Sequence, residues 1–166
     1  MSRVNVPTRE EVNVTNQAIF DQLEKGLGFV PNLYATYAHS ANALKNYMAL
    51  SGAKTSLSTK QKEVVNLAVS EVNKCVYCLS AHTAIAKMNG YTPEQIIEFR
   101  EGGSSIDNTH HALAAFSKAV TIARGAVDTT TLEAFFTAGF SKENLVDVIV
   151  LIGDKTISNY LHQVTD

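Results

Sequence analysis

The amino-acid sequence predicts an all-α fold, and three observations support this class. Apolar residues recur at helical spacing along the whole chain, whereas the alternation typical of β-strands is hard to find. The 166 residues include only three prolines, which suits a chain built mostly from helices. Residues with helix-capping chemistry stand directly before several apolar segments. A chain of this length buries one sizeable core, so we predict a single helical domain over residues 1–166.

Three helices are predicted in the first third of the chain. Thr15 is a candidate N-cap for the first helix, and Gly26-Leu27-Gly28 ends it, because glycine takes the left-handed conformation at a helix C-terminus at little cost. Phe29-Val30-Pro31 is predicted to be an extended joint, since proline disfavours helical geometry in the residue before it. The three predicted helices span residues 15–26, 32–38 and 41–52.

The central part of the sequence predicts a pair of consecutive helices within the region 57–102. Ser58 followed three residues later by Gln61 is a capping-box pattern, which marks the start of the first helix. Asn73-Lys74 looks like a break, and the second helix is predicted to run from about Cys75 to residue 89. The remaining helices are expected after the start signal Thr92-Pro93-Glu94-Gln95, near 108–124, at 130–137 and at 142–163.

Charge and hydropathy exclude several classes of protein. Lys and Arg number 14 against 16 Asp and Glu, for a net charge of −2, so the basic surface of a nucleic-acid-binding protein is absent. The first twenty residues lack the apolar segment of a signal peptide. The longest apolar run, residues 148–152, is far shorter than the ~20 residues that span a bilayer. We therefore expect a soluble cytoplasmic protein without nucleic-acid or membrane partners.

The sequence contains a weak internal echo. Residues 73–76, Asn-Lys-Cys-Val, align with residues 154–157, Asp-Lys-Thr-Ile. One interpretation is that two amphipathic helices always look alike. The other is a degenerate pseudo-repeat, whose second copy has Thr156 and Asn159 where the first copy has thiols. Under either interpretation, we expect the chemistry to lie in the first copy.

The two cysteines of the chain, Cys75 and Cys78, stand at helical spacing with His82. Both sulfurs and the imidazole therefore share one face of the predicted helix, and because that face is also apolar we expect the sulfurs to be semi-buried. The first turn of a helix favours negative charge and lowers the pKa of a thiol, and a histidine one turn further on can exchange a proton. A nucleophile, a second thiol and a base on one face predict a redox site.

Glu63 is a candidate fourth member of this site. In one straight helix it would lie roughly 28 Å from His82, at about 1.5 Å per residue. If the chain turns back at Asn73-Lys74, the two side chains face each other across a helical hairpin, and the carboxylate orients the imidazole. The alternative is that Glu63 is an ordinary surface residue in the first turn of its helix.

Other interpretations of the cysteines differ in what they require. A zinc site would need a fourth ligand, available only if the helix carrying His110 and His111 folds over the thiols. Covalent haem attachment is excluded, because Leu79 follows the second cysteine where histidine is required. A thioredoxin fold is excluded by the lack of βαβ segments, and two inert core cysteines remain the plain structural alternative.

The pattern Glu63-x11-Cys75-Val76-Tyr77-Cys78-x3-His82 resembles the signature of the carboxymuconolactone decarboxylase-like superfamily, specifically its alkylhydroperoxidase D-like, peroxidase-related branch. The segments 28–32 and 139–141 also look like that branch. The resemblance implies an all-helical subunit with internal pseudo-symmetry that assembles as a homo-oligomer, a trimer or a hexamer.

The resemblance also implies a role for each matching residue. Cys78 would attack a small-molecule hydroperoxide and become sulfenic acid, and Cys75 would resolve it to a disulfide that an external dithiol reduces, with no metal or cofactor. His82 and Glu63 would form the proton relay. Alkylhydroperoxidase D itself has histidine immediately before the second cysteine, where this chain has Tyr77, and a phenol with a pKa near 10 is a poor base. Tyr77 would instead line the substrate pocket; the alternative is that it simply packs on the helix surface.

The resulting hypothesis is a thiol-dependent alkyl hydroperoxide reductase. The first alternative is a non-enzymatic helical module that senses redox state or holds a metal. The second is a decarboxylase acting on a carboxymuconolactone, which is disfavoured because that branch generally lacks the cysteine pair.

Overall fold

The computed structural model describes residues 3–166, and its helical architecture confirms the predicted all-α class. Among these residues there are nine α-helices, one short 3₁₀ helix and no β-strand. None of these helices is both long enough and apolar enough to cross a lipid bilayer. After the 3₁₀ helix Arg9–Glu11, the α-helices are α1 Val14–Leu27, α2 Asn32–Tyr37, α3 Ala43–Ser51, α4 Thr59–Val72, α5 Val76–Met88, α6 Pro93–Glu101, α7 Asn108–Ala123, α8 Thr129–Thr137 and α9 Lys142–Thr165.

The chain divides into two compact units, one formed by residues up to 53 with residues 161–166 and the other by residues 54–160. The first unit has its own apolar core, in which the rings of Tyr37 and Tyr47 stack with centroids 4.2 Å apart. Its buried Asn16 donates hydrogen bonds of 3.0 Å to the carbonyls of Ala38 and Ser40, so the segment after α2 is fastened to α1.

The second unit, residues 54–160, is built around α4. This helix contacts α5, α6 and α7, and every residue from Glu63 to Ser70 is buried. Apolar side chains of the surrounding helices complete one continuous core. Its fully buried members include Val64, Val65, Leu67, Val69, Phe99, Leu113, Phe135 and Val148.

Helix starts follow the local chemistry that the sequence displays. Ser58 accepts a hydrogen bond of 3.2 Å from the Gln61 backbone, and the Gln61 side chain accepts one of 2.9 Å from the Ser58 backbone, so the predicted capping box is present. Thr92 and Gln95 form a second box in the same way. The prediction for α1 was wrong: Asn13 is its N-cap and accepts from the Asn16 backbone, in place of Thr15. Asparagine is the better N-cap of the two.

The chain reverses between α4 and α5, as the Asn73-Lys74 break indicated. Asn73 ends α4, and Lys74 takes a left-handed conformation with φ of 55°. The Cys75 backbone then donates a hydrogen bond of 3.0 Å to the carbonyl of Ser70, which closes the turn. α4 and α5 therefore form a helical hairpin, with the cysteines at its closed end.

Candidate active site

The hairpin brings His82 on α5 against Glu63 on α4. Nδ1 of His82 lies 2.8 Å from Oε2 of Glu63, and both side chains are largely buried. The other carboxylate oxygen of Glu63 accepts a hydrogen bond of 3.0 Å from the Asn66 amide. A carboxylate only accepts, so Nδ1 of His82 donates and Nε2 remains the ring nitrogen that can exchange a proton.

Burial sets the protonation state of this histidine. Desolvation lowers the pKa of His82 below its usual 6.5; the hydrogen bond to Glu63 opposes this effect, and the Lys155 ammonium adds to it. The imidazole is therefore neutral at neutral pH. A neutral imidazole held in one orientation by a carboxylate is the arrangement required of a general base or a proton carrier.

Both thiols lie at the N-terminus of α5. Cys75 is its N-cap, and the Cys78 backbone N–H donates to the Cys75 sulfur over 3.4 Å. Neither thiol is engaged in a disulfide. Solvent reaches none of Cys75 and only 3% of Cys78, so the expectation of semi-buried sulfurs was wrong. The side chain of Asn159 on α9 lowers the pKa of both thiols, an influence that was not foreseen when only the α5 face was considered.

The two thiols share one hydrogen bond, and this bond separates their acidities. The Cys78 thiol donates to Cys75 and lowers the pKa of Cys75 from 9.0 to about 7, with further help from the Cys78 backbone N–H and from Asn159. The same bond, together with burial, raises the pKa of Cys78. Above about pH 7 the reduced pair therefore holds mainly one proton and one negative charge.

Residues of α9 complete the site, and the sequence reasoning missed their contribution. Asn159 is fully buried; its amide donates to Ser70 over 3.3 Å, and its carbonyl oxygen accepts from Asn73 over 3.0 Å. Asp154 and Lys155, also on α9, are buried as well. The sequence contained one indication of this contribution, because the internal echo aligns Asn159 with Cys78.

The remaining predicted residues are placed differently. Tyr77 lies on α5 between the thiols and is half-buried. His110 lies against Asp107 at 2.9 Å and against the Tyr91 hydroxyl at 3.1 Å, so both of its ring nitrogens are occupied. Within residues 3–166 there is no group of three His, Cys, Asp or Glu side chains arranged to hold a metal ion, so the zinc interpretation has no support in this geometry.

The chain belongs to the carboxymuconolactone decarboxylase family. The sequence profile of that family matches residues 37–121, just over half of the chain. The matched region contains the whole α4–α5 hairpin with Glu63, both thiols and His82. A comparison with curated proteins finds no match.

Solved structures share the fold over nearly the whole chain. An uncharacterized peroxidase-related protein from Silicibacter sp. TM1040 is 23% identical, with a TM-score of 0.85 over 99% of this chain and 89% of its own. An uncharacterized peroxidase-related protein from Ralstonia eutropha JMP134, described as an alkylhydroperoxidase AhpD core, is 24% identical, with a TM-score of 0.87 over 99% of this chain and 90% of its own. A variant of the debrominase Bmp8 in complex with 2,3,4-tribromopyrrole is 18% identical, with a TM-score of 0.78 over 97% and 88%. At these identities the likeness concerns the fold.

Proposed function

We propose that this protein is a thiol-dependent hydroperoxide reductase. The observation that carries the proposal is a reduced cysteine pair with one lowered pKa on the helix face that also holds the His82–Glu63 pair. A thiolate, a second thiol beside it and an oriented proton carrier are the groups that two-electron reduction of an O–O bond requires. The protein from Ralstonia eutropha that shares this fold is described as peroxidase-related, which agrees with the same reaction class.

In the proposed reaction, Cys78 is the attacking thiol. The pair carries one proton, and attack by Cys78 requires its transfer from Cys78 to Cys75, against the order of their pKa values. Of the two cysteines only Cys78 is reached by solvent, over 3% of its surface, which favours Cys78 as the residue that meets the peroxide. His82 also lies one helical turn from Cys78, on the same face of α5.

The proposed reduction of the hydroperoxide proceeds in four steps. The Cys78 thiolate attacks the terminal oxygen of the hydroperoxide; the O–O bond breaks, and sulfenic acid and an alkoxide form. Nε2 of His82, which is unprotonated at rest, takes up a proton from solvent and passes it to the alkoxide, which leaves as the alcohol. The Cys75 thiol then condenses with the sulfenic acid, giving the Cys75–Cys78 disulfide and water. An external dithiol reduces the disulfide and returns the pair to its singly protonated form.

The first test is steady-state turnover with tert-butyl hydroperoxide and dihydrolipoamide. We expect wild-type turnover, no turnover after Cys78→Ser, and a single turnover after Cys75→Ser that leaves a sulfenic acid on Cys78, trapped by dimedone and located by mass spectrometry. Ser80→Ala, at an exposed position of the same helix, is the matched control and keeps full activity. Single turnover by Cys78→Ser with the dimedone adduct on Cys75 would reverse the two roles.

Assays with other substrates distinguish hydroperoxide reduction from the reactions of proteins with the same fold or family. The fold is shared with a debrominase, so 2,3,4-tribromopyrrole is tested in parallel, and a carboxymuconolactone is assayed for release of carbon dioxide. Turnover of either compound by a protein that leaves hydroperoxide intact would replace the proposal. Oxidation without any turnover, accompanied by a change in particle size, would instead identify a redox-sensing module.

We also propose that the protein works as a homo-oligomer, a trimer or a hexamer, in the reducing environment of the cytoplasm. Large apolar side chains are exposed on several helices and would be covered by assembly. They include Val76, Met88, Ile97, Val146, Ile149 and Ile157. Light scattering of the reduced protein measures the subunit number, and a monomer at micromolar concentration would refute this part.

A further inference from the structure

The site contains a buried cation that the proposed reaction does not use. Only 7% of the Lys155 surface is exposed, and no carboxylate of residues 3–166 lies within salt-bridge distance of its ammonium. A buried charge without a partner is strongly unfavourable. A lysine in this position therefore calls for a negative group nearby.

The geometry of α9 identifies that group. Lys155 lies one helical turn before Asn159, so the two side chains project from the same face of α9. Asn159 is fixed by Ser70 and Asn73, and the carbonyl of Ser70 in turn accepts a hydrogen bond from the Cys75 backbone. The lysine face of α9 is consequently the face that meets the cysteine pair.

The charged groups around Lys155 come from three helices. α4 contributes Glu63, α5 contributes the thiols and His82, and α9 contributes Asp154. The Lys155 ammonium lowers the pKa of both thiols and of His82, whereas the Glu63 and Asp154 charges raise the pKa of His82. Glu63 is already engaged by His82 and Asn66, and Asp154 lies beyond salt-bridge distance of the ammonium, which leaves the dithiol as the site at which a charge can be gained or lost.

We propose that Lys155 is a positioning residue, whose ammonium is the counter-ion that keeps the reduced cysteine pair singly ionised while His82 stays neutral. The second copy of the internal echo would then supply a cation to the thiols of the first. The inference deepens the proposed function, although the ionisation of the pair does not depend on which substrate it meets.

A second consequence concerns the disulfide. Oxidation of the pair removes the negative charge and leaves the ammonium buried without a counter-ion. Selective stabilisation of the reduced thiolate makes a disulfide more oxidising. Loss of the lysine charge should therefore make the Cys75–Cys78 disulfide harder to reduce.

The test measures alkylation of the reduced protein by iodoacetamide between pH 5 and 10, with each thiol followed by mass spectrometry. The wild-type midpoint is expected near 7. Lys155→Met should raise the midpoint and slow alkylation at pH 7 by roughly fivefold, which corresponds to a shift of about one pKa unit from a midpoint near 7. Lys155→Arg should restore the wild-type profile. Lys142→Met, at an exposed position of the same helix, should leave it unchanged.

A second readout separates an electrostatic role from a structural one. Equilibration with glutathione buffers should show Lys155→Met shifting to a lower reduction potential, with Lys155→Arg close to wild type. If Lys155→Met does not fold, Lys155→Gln takes its place as the neutral variant in both measurements. A folded neutral variant with an unchanged alkylation midpoint overturns the inference.

Failure of the proposed function gives a different pattern. Alkylation involves no peroxide, so the two proposals can fail separately. If the wild-type protein leaves hydroperoxide intact, but its alkylation midpoint is lower than that of Lys155→Met, the reductase is refuted and the counter-ion role is supported. If the wild-type protein reduces hydroperoxide, but Lys155→Met has the same alkylation midpoint, the reductase is supported and the counter-ion role is refuted.

Discussion

Nδ1 of His82 and Oε2 of Glu63 lie 2.8 Å apart, although 19 residues separate them along the chain. The contact exists because α4 and α5 form a hairpin whose turn is closed by the left-handed Lys74. The carboxylate is held on its other side by Asn66, so the imidazole has one favoured orientation. A pair fixed in this way can carry a proton without reorganisation.

Glu63→Gln tests this pair. The amide can still accept from Asn66, but its NH₂ group faces Nδ1 of His82, which disfavours the tautomer with the proton on Nδ1 and Nε2 free to accept one. We expect the rate of hydroperoxide reduction to fall roughly 10²-fold, the scale of general acid–base catalysis. Stopped-flow measurement of disulfide formation checks this. Glu71→Gln, on the same helix and paired with Arg100, is the control; an equal loss in both variants would contradict a specific role.

The pH dependence of thiol reactivity follows from the shared hydrogen bond. Thiolate is the reactive form, so alkylation of the reduced protein should fall about tenfold per pH unit below the lowered pKa of Cys75, near 7, and level off above it. Cys78→Ala removes the hydrogen-bond donor and should move the midpoint of Cys75 upward. The pH–rate profile of the variant provides the measurement, and an unmoved midpoint would show that the Cys78 thiol is not the cause.

Tyr77 gives a prediction in the direction of gained activity. Histidine at this position has a pKa near 6.5, in place of a phenol near 10, and supplies a base at neutral pH. Tyr77→His should raise the rate of peroxide reduction at pH 7 by roughly tenfold. Tyr77→Phe keeps the ring and removes the hydroxyl; it should leave the rate close to wild type, and a large loss would indicate that the hydroxyl itself takes part.

Asn159 is expected to contribute to stability as well as to the site. Asn159→Ala leaves the buried polar groups of Ser70 and Asn73 without this partner, which costs about 1–3 kcal/mol per unsatisfied group. Urea unfolding with and without reductant measures the loss. Asn108→Ala, at an exposed position, should change the free energy of unfolding by less than ~0.5 kcal/mol. Equal effects in the two variants would contradict the buried network.

The features that could be predicted well from the sequence are those that depend on residues close together along the chain. Capping at Ser58 and Thr92 needs only a side chain and a backbone N–H three residues apart, so it can be recognised without knowledge of the tertiary structure. The Glu63–His82 contact was predictable only on the condition that the chain turned at Asn73-Lys74. Once that local break was recognised, the hairpin defined the pairing.

The contribution of α9 could not be derived in the same way. Asn159 and Ser70 are 89 residues apart, and their contact depends on how distant helices pack. Lys155 stands among polar residues in an amphipathic helix, where a lysine is expected to face water. Its burial becomes visible only in the folded chain, and the internal echo gave the one local hint.

The burial of the thiols has a consequence for the durability of the protein. Sulfenic acid becomes sulfinic acid, an irreversible loss, when a second peroxide molecule arrives before the resolving thiol reacts. Here solvent reaches none of Cys75 and 3% of Cys78, and the two cysteines are already in contact, with the Cys78 backbone N–H 3.4 Å from the Cys75 sulfur. The resolving step is thus a collision within the chain, while the damaging step requires a further molecule to enter a closed site. Such a pair should survive peroxide concentrations that inactivate an open cysteine.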